Sequence, residues 1–191
     1  MHDKNEKEES IGKFIGQTAL MTVFMLAIFY LLFTFVLSND AVSGISMQPN
    51  FEDGDRLISV RHTKIKRDDI VILRAPHTKN ELYIKRVIGM PGDTVKFKDD
   101  TLYINNHQKR EPYLIQGKKL YANGDLYTNN FTLGKLAVTH GVSKVPKNSY
   151  FVMGDHRNVS RDSRLIGYIN KNNIIGIVKL RYWPIQKLTF Y

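Results

Sequence analysis

Residues 14–37 carry no charge, and this run constrains the chain of 191 residues more than any other feature. As an α-helix it would extend about 36 Å, which exceeds the ~30 Å hydrocarbon core of a bilayer. The alternative is a cleavable signal peptide, whose apolar core usually has about 7–15 residues and ends before a small-residue cleavage site. The run here is longer and ends in Phe35, Val36 and Leu37. The sequence therefore favours a retained transmembrane helix.

Basic residues near the ends of this helix predict its orientation. Three lysines (Lys4, Lys7 and Lys13) precede it, and the first basic residue after it is Arg56. Lys and Arg remain preferentially on the cytoplasmic side of a membrane. We therefore expect a single-pass protein with a cytoplasmic tail over residues 1–13, a transmembrane helix over 14–37 and an extracytoplasmic domain over 40–191.

Short alternating segments dominate the chain after residue 40. They are rich in Val, Ile, Tyr and Phe and are bounded by Gly, Asp, Asn or Pro, which is typical of β-strands. No amphipathic helix of ten or more residues is predicted. The domain should be mostly β, as folded sheets or a partly open barrel, and 116–148 should be a variable insertion of hairpins and loops. The predicted strands are 55–60, 69–74, 82–88, 93–97, 101–106, 150–155 and 173–183.

Composition limits the chemistry and the partners. The chain has no cysteine, which excludes disulfides, cysteine-based metal sites and a thiol nucleophile. The formal net charge is +10, and all of the excess positive charge lies in residues 40–191. A basic domain favours anionic surroundings such as phospholipid headgroups. No nucleic-acid-binding motif accompanies it, so we expect a phospholipid membrane and no nucleic acid as a partner.

The stretch "GISMQPN" places Ser46 between Gly44 and Pro49. Most serines in loops cap a turn or face water. A backbone restricted by glycine and proline could instead hold the hydroxyl as a nucleophile.

Strand alternation in "LYIKRVIGMPGD" places Lys85 on one face and Arg86 on the other. Lys85 could be an edge-strand lysine that discourages aggregation. It could also be a desolvated amine, because burial disfavours the charged form and leaves a neutral general base.

The stretch "GDHRNVSRDSR", residues 154–164, alternates charges with hydroxyls. It is either a solvated loop with exposed ion pairs or a polar scaffold that orients a site.

Together and in this order, these segments resemble the bacterial type I signal peptidases in their Gram-positive form. The resemblance implies a mostly β, signal-peptidase-like domain after one N-terminal transmembrane helix, in the bacterial cell membrane. It also implies a serine endopeptidase with a Ser–Lys dyad that needs no metal or cofactor. Its substrates would be secreted preproteins, cleaved after small residues in an Ala-x-Ala-like site. The motifs that carry the resemblance are the apolar run, "SMQP", "EDGDRL", "YIKRVIGMPGD" and "GDHRNVSRDSR".

The resemblance also implies roles for individual residues. Ser46 would be the nucleophile and Lys85 the general base, and Ser160 would hydrogen-bond Lys85 to orient it. Some relatives hold the oxyanion with a serine hydroxyl where this chain has Gly44, so the backbone N–H of Ser46 would serve here. Asp155 would pair with Arg86, and Asp162 with Arg164. The residues expected to line the substrate pocket are Met47, Tyr83 and Ile84.

His156 departs from the family pattern, because "GDHR" replaces "GDNR". A Ser–His arrangement with Ser46 is one interpretation. The other is a structural hydrogen bond, with a titration near neutral pH.

Three other functions compete with signal-peptide removal. Two share the Ser–Lys chemistry: a maturation protease for a dedicated client, and a self-cleaving protein of the repressor type, against which the membrane anchor argues. The third is a tethered basic β-domain that only binds an anionic polymer or a protein. The presence of both Ser46 and Lys85 argues against a binding module.

Overall fold

The computed structural model describes residues 2–76 and 81–191, with side chains from residue 12 onward. The chain divides into two compact units, one ending at Leu37 and one from Ser38 to Tyr191.

The first unit is one long helix. Helix α1 (His2–Leu31) continues into a π-helical turn (Leu32–Val36). From Gly12 to Val36 it is long and apolar enough to cross a membrane. Its large apolar side chains are exposed. The predicted span differs from the observed helix at its end, because Leu37 is already the first residue of a strand.

The described residues from Leu37 onward form twelve strands in two sheets, and the predicted mostly β fold is confirmed. The strands are β1 (Leu37–Ala41), β2 (Arg56–Val60), β3 (Ile70–Arg74), β4 (Leu82–Gly89), β5 (Val95–Lys98), β6 (Thr101–Ile104), β7 (His107–Lys109), β8 (Phe131–Thr132), β9 (Ser149–Met153), β10 (Ile169–Asn170), β11 (Ile174–Trp183) and β12 (Thr189–Phe190). Each of the seven predicted segments overlaps one observed strand, and the strands found in this way are β2, β3, β4, β5, β6, β9 and β11. Most of the strands that were not predicted have two or three residues.

The larger sheet has the order β1-β2-β11-β3-β4-β9-β10, with β12 beside β11, and the smaller one has the order β7-β6-β5-β8. The smaller sheet is built on tight turns. Asp99 and Asp100 join β5 to β6, and both have positive φ values. Such turns match the twist of the strands that they connect, and Asp tolerates this conformation.

Strand β4 is the centre of the domain. It pairs with β3 from Leu82 to Arg86 and with β9 from Arg86 onward. From Ile84 to Gly89 every residue is buried, because both faces of the strand are covered. Ile84, Val87 and Ile88 belong to three different core clusters. A polar side chain on this strand is therefore placed among apolar neighbours on either face.

The segment 116–148 differs from its prediction. Helix α2 (Ile115–Tyr121) occupies its beginning, and short 3₁₀ turns follow at Leu133–Lys135 and Ala137–Thr139. Its only strand, β8, pairs with the distant β5. No hairpin forms within 116–148, all of which is described, so the predicted hairpins are wrong. The reason is that Phe131 packs on Phe97 and Phe151 of the core.

We expect Phe97→Ala to lower the free energy of unfolding by about 3–5 kcal/mol, because a buried aromatic ring would leave a cavity. Phe97 is 1% exposed and stacks on Phe131 with ring centroids 5.2 Å apart. Phe190→Ala is the matched control, since that ring is 77% exposed. Chemical denaturation would measure both variants. Equal stabilities for the two would contradict this account of the core.

Candidate active site

The structure brings Lys85 and Ser46 together. Lys85 lies on β4, and its Nζ is 2.7 Å from the Ser46 Oγ and 3.0 Å from the Ile84 carbonyl oxygen. The lysine is 3% exposed. An exposed edge lysine is therefore the wrong interpretation, because β4 is a covered central strand. The hydroxyl and the amine are close enough to pass a proton between them.

Burial lowers the pKa of the Lys85 amine from 10.5 to about 8. Asp162 and Asp155 act in the opposite direction, and Arg164 adds a further lowering. The desolvation of the ammonium form is the largest effect. A substantial fraction of the amine is therefore neutral at mildly alkaline pH.

A tight turn presents Ser46. Gly44 has a φ of 83°, which favours glycine, and its N–H donates to Asp53 at 2.8 Å. On the other side the Gln48 N–H donates to the Ile45 carbonyl at 3.1 Å. Within the described part of the chain, the Ser46 backbone N–H has no acceptor. It is therefore available to a ligand oxygen.

Residues 154–164 form a buried polar scaffold, and the solvated-loop interpretation is wrong for most of them. Asp155 is fully buried and accepts from Arg86 at 2.8 and 2.6 Å and from Asn50 at 2.7 Å. Asp162 accepts from Arg164, at 2.8 Å to each carboxylate oxygen. Both expected ion pairs are thus present.

Ser160 differs from its expected role. Its Oγ is buried and has no hydrogen-bond partner in the described residues. The predicted bond to Lys85 is wrong for this structure, because the Lys85 amine is directed to Ser46 and to the Ile84 carbonyl. Ser160 still lies beside the site. A Cβ on Gly154 would overlap both the Ser160 Oγ and the Ser46 carbonyl oxygen.

A groove of about 670 Å³ ends at the two catalytic candidates. Its lining includes the segments 39–46 and 81–85, so Gly44, Tyr83 and Ile84 line it. Met47 does not line it, which corrects the prediction. The Met47 side chain is fully buried, in the cluster that contains Phe51 and Leu57.

His156 contacts the backbone of the turn that holds Ser46 rather than the Ser46 hydroxyl. Its Nδ1 lies 3.1 Å from the Ile45 carbonyl oxygen, and its own N–H donates to the Ser46 carbonyl at 3.1 Å. The Ser–His interpretation is therefore wrong, because the partner of this ring nitrogen is a carbonyl. The structural-hydrogen-bond interpretation agrees with the geometry. Sequence reasoning missed Tyr121, whose ring stacks on His156 at 4.1 Å.

Comparison with known families agrees with this geometry. The family described as signal peptidase, peptidase S26, matches residues 15–183. The chain belongs to this signal peptidase family. Signal peptidase IB of Staphylococcus aureus (strain MRSA252) is 37% identical over 168 residues, covering 85% of this chain and 86% of the relative. Signal peptidase I of Bacillus caldolyticus is 42% identical over 160 residues, covering 82% and 85%.

A solved structure supports the fold as well. The crystal structure of a signal peptidase I from Enterococcus faecalis V583 is 39% identical, with a TM-score of 0.57. The match covers 60% of this chain and 97% of that one. The predicted signal-peptidase-like fold is thus confirmed. The predicted enzyme class is also confirmed: a serine peptidase of the signal peptidase I type, which removes signal peptides.

We expect wild-type stability to rise relative to that of Lys85→Met between pH 8 and 10.5. The folded-state pKa of about 8 lies below the ordinary lysine pKa of 10.5, so the protonated amine destabilises the native state. This cost is fully present below pH 8 and disappears as pH rises to 10.5. It is on the order of 3 kcal/mol.

Denaturant unfolding of detergent-solubilised protein across this pH range measures the difference. Lys98→Met, on an exposed lysine of β5, controls for the substitution itself. Parallel stability curves for wild type and Lys85→Met would show that the amine is not desolvated.

Proposed function

We propose that this chain is a membrane-anchored endopeptidase that removes signal peptides with a Ser46–Lys85 dyad. The observation that carries the proposal is the 2.7 Å separation between a buried, pKa-lowered amine and the Ser46 hydroxyl. A neutral amine at this distance is a general base that needs no histidine.

Lys85 would act as base and then as acid. Its neutral amine takes the proton from the Ser46 Oγ, which bonds to the carbonyl carbon before the scissile bond. The resulting oxyanion accepts from the Ser46 backbone N–H. The Lys85 ammonium then protonates the leaving nitrogen as the C–N bond breaks, leaving an ester on Ser46. Water, deprotonated by the same lysine, hydrolyses the ester and restores both residues.

The groove favours an extended peptide. The Val87 N–H donates to Asp69 and the Ala75 N–H to Glu81, so odd-numbered residues of β4 bond toward β3. Leu82 and Ile84 therefore direct their backbone groups to the opposite side, where β9 does not reach. No strand pairs with this edge in the described residues, although the Ile84 carbonyl accepts from the Lys85 Nζ. The edge can therefore add a substrate strand.

The chain direction of two segments that line the groove predicts the direction of the substrate. The first segment, 39–46, ends at Ser46, and the second, 81–85, ends at Lys85. A substrate with its scissile bond at the dyad and its signal peptide along the groove runs the same way, as a parallel strand. The substrate residues one and three positions before the scissile bond (−1 and −3) direct their side chains to the same face, because strand side chains alternate. Apolar walls there favour small residues, as at an Ala-x-Ala site. The groove's apolar lining includes Val42, Leu57, Ile72, Tyr83 and Ile84.

The apolar helix would anchor the enzyme beside its substrate. The span from Gly12 to Val36 is long enough to cross a bilayer. The lysines before it and at its start (Lys4, Lys7 and Lys13) favour a cytoplasmic N-terminus. Ser46 follows Leu37 by only nine residues. Enzyme and preprotein would share one membrane surface, which raises their effective concentration.

We expect Ser46→Ala and Lys85→Met each to reduce preprotein cleavage by about 10⁴-fold or more, since either change removes the dyad. The assay is cleavage of a preprotein with Ala at −3 and −1, in liposomes.

Two controls accompany this assay. The Lys98→Met variant should cleave normally, because Lys98 is exposed on β5. A preprotein with Leu at −1 should remain uncut by the wild type. Retained cleavage by Lys85→Met would remove the dyad from the proposal.

We expect kcat/KM to rise with pH and to level off above an apparent pKa of about 8, the pKa of the Lys85 amine. The ammonium form of Lys85 has no lone pair, so activity falls about tenfold per pH unit below that value. A substrate without ionisable groups near its cleavage site isolates the enzyme's titration. A flat profile between pH 6 and 9 would exclude Lys85 as the titrating base.

A further inference from the structure

We propose that His156 is a positioning residue that directs the Ser46 backbone N–H at the oxyanion. This inference rests on the proposed function, in which Ser46 is the nucleophile. His156 touches no reacting atom in that mechanism. It acts through the peptide unit that joins Ile45 to Ser46.

His156 holds the backbone on both sides of the Ser46 side chain. Its Nδ1 is 3.1 Å from the Ile45 carbonyl oxygen, and its backbone N–H donates to the Ser46 carbonyl at 3.1 Å. A carbonyl oxygen can only accept, so Nδ1 carries the hydrogen. One residue thereby restrains two successive peptide units.

The planarity of the peptide bond transmits this restraint to the oxyanion donor. In a trans peptide the N–H of Ser46 points opposite to the C=O of Ile45. Holding the carbonyl therefore also sets the direction of the N–H. That N–H has no acceptor in the described part of the protein, which leaves it available to substrate. A bond to the carbonyl also polarises the peptide and strengthens the N–H as a donor.

Tyr121 holds the imidazole in place. The two rings stack with centroids 4.1 Å apart and planes 25° from parallel. Tyr121 is the last residue of α2, and its carbonyl accepts from the Asn158 Nδ2 at 3.0 Å. His156 is 6% exposed. Helix α2 thus supports the catalytic turn through one aromatic contact, and this gives a function to part of the segment 116–148.

The decisive variant is His156→Phe, which keeps a ring on Tyr121 and removes the donor. We expect kcat to fall about 10- to 100-fold. This decrease should not exceed the decrease in kcat that follows removal of a whole oxyanion donor. KM and the apparent pKa of the pH–rate profile should stay unchanged. Affinity for a peptide aldehyde, which forms a tetrahedral adduct with Ser46, should fall by the same factor as kcat/KM.

A rescue and two controls complete the experiment. His156→Asn places an amide donor at the position of Nδ1 and should recover most of the lost activity. His156→Leu matches Asn in size without a donor and should remain as slow as His156→Phe. This second pair keeps the test decisive where the Phe variant folds poorly. His107→Phe makes the same substitution at an exposed site and should cleave normally.

Three results would overturn the inference: wild-type rates in His156→Phe, an aldehyde affinity that does not change when the rate falls, or equal rates for His156→Asn and His156→Leu. Failure of the proposed function gives a different result, because Ser46→Ala would then retain wild-type cleavage.

Discussion

The removal of the Lys85 amine from water is the constraint on which the site depends. An ammonium ion at an exposed position keeps its proton at neutral pH and cannot accept one from a serine. Here β4 is covered on both faces, and desolvation lowers the pKa of the amine to about 8. The same strand supplies residues to three core clusters. The packing that stabilises the domain is thus also the packing that lowers the pKa of this lysine.

The buried carboxylates near Lys85 act against this effect. Asp162 and Asp155 both raise the pKa of Lys85. Each is held by a guanidinium, Arg164 for Asp162 and Arg86 for Asp155. These ion pairs reduce the negative potential at the amine, and Arg164 itself favours the neutral form. Isolated charges would be costly in such a place, whereas paired and hydrogen-bonded ones are tolerated. The scaffold therefore orients the site and also allows desolvation to prevail.

Several parts of this arrangement follow from local patterns. Alternation and turn residues predicted seven of the strands, among them β4 and β11, because strand formation there agrees with local propensity. The family resemblance that the motifs around Ser46, Lys85 and Asp155 carry implied which residues meet. Short strands such as β8 and β10 could not be predicted, since two residues carry no periodicity and are strands only through their partners. The predicted contacts of the Met47 and Ser160 side chains were wrong for a related reason. Motifs indicate that residues are neighbours, but side-chain direction depends on packing.

The sequence by itself determined the apolar helix, the mostly β domain and the residue types of the site, because each depends on neighbours along the chain. The tertiary structure alone decided that the Lys85 amine is buried away from water and that His156 hydrogen-bonds to the backbone of the Ser46 turn. Those facts depend on contacts between residues that are far apart in the chain. Lys85 and Ser46 are separated by 39 positions, and His156 and Ile45 by 111. Burial and hydrogen-bond direction at such separations are properties of the folded packing. No local pattern specifies them.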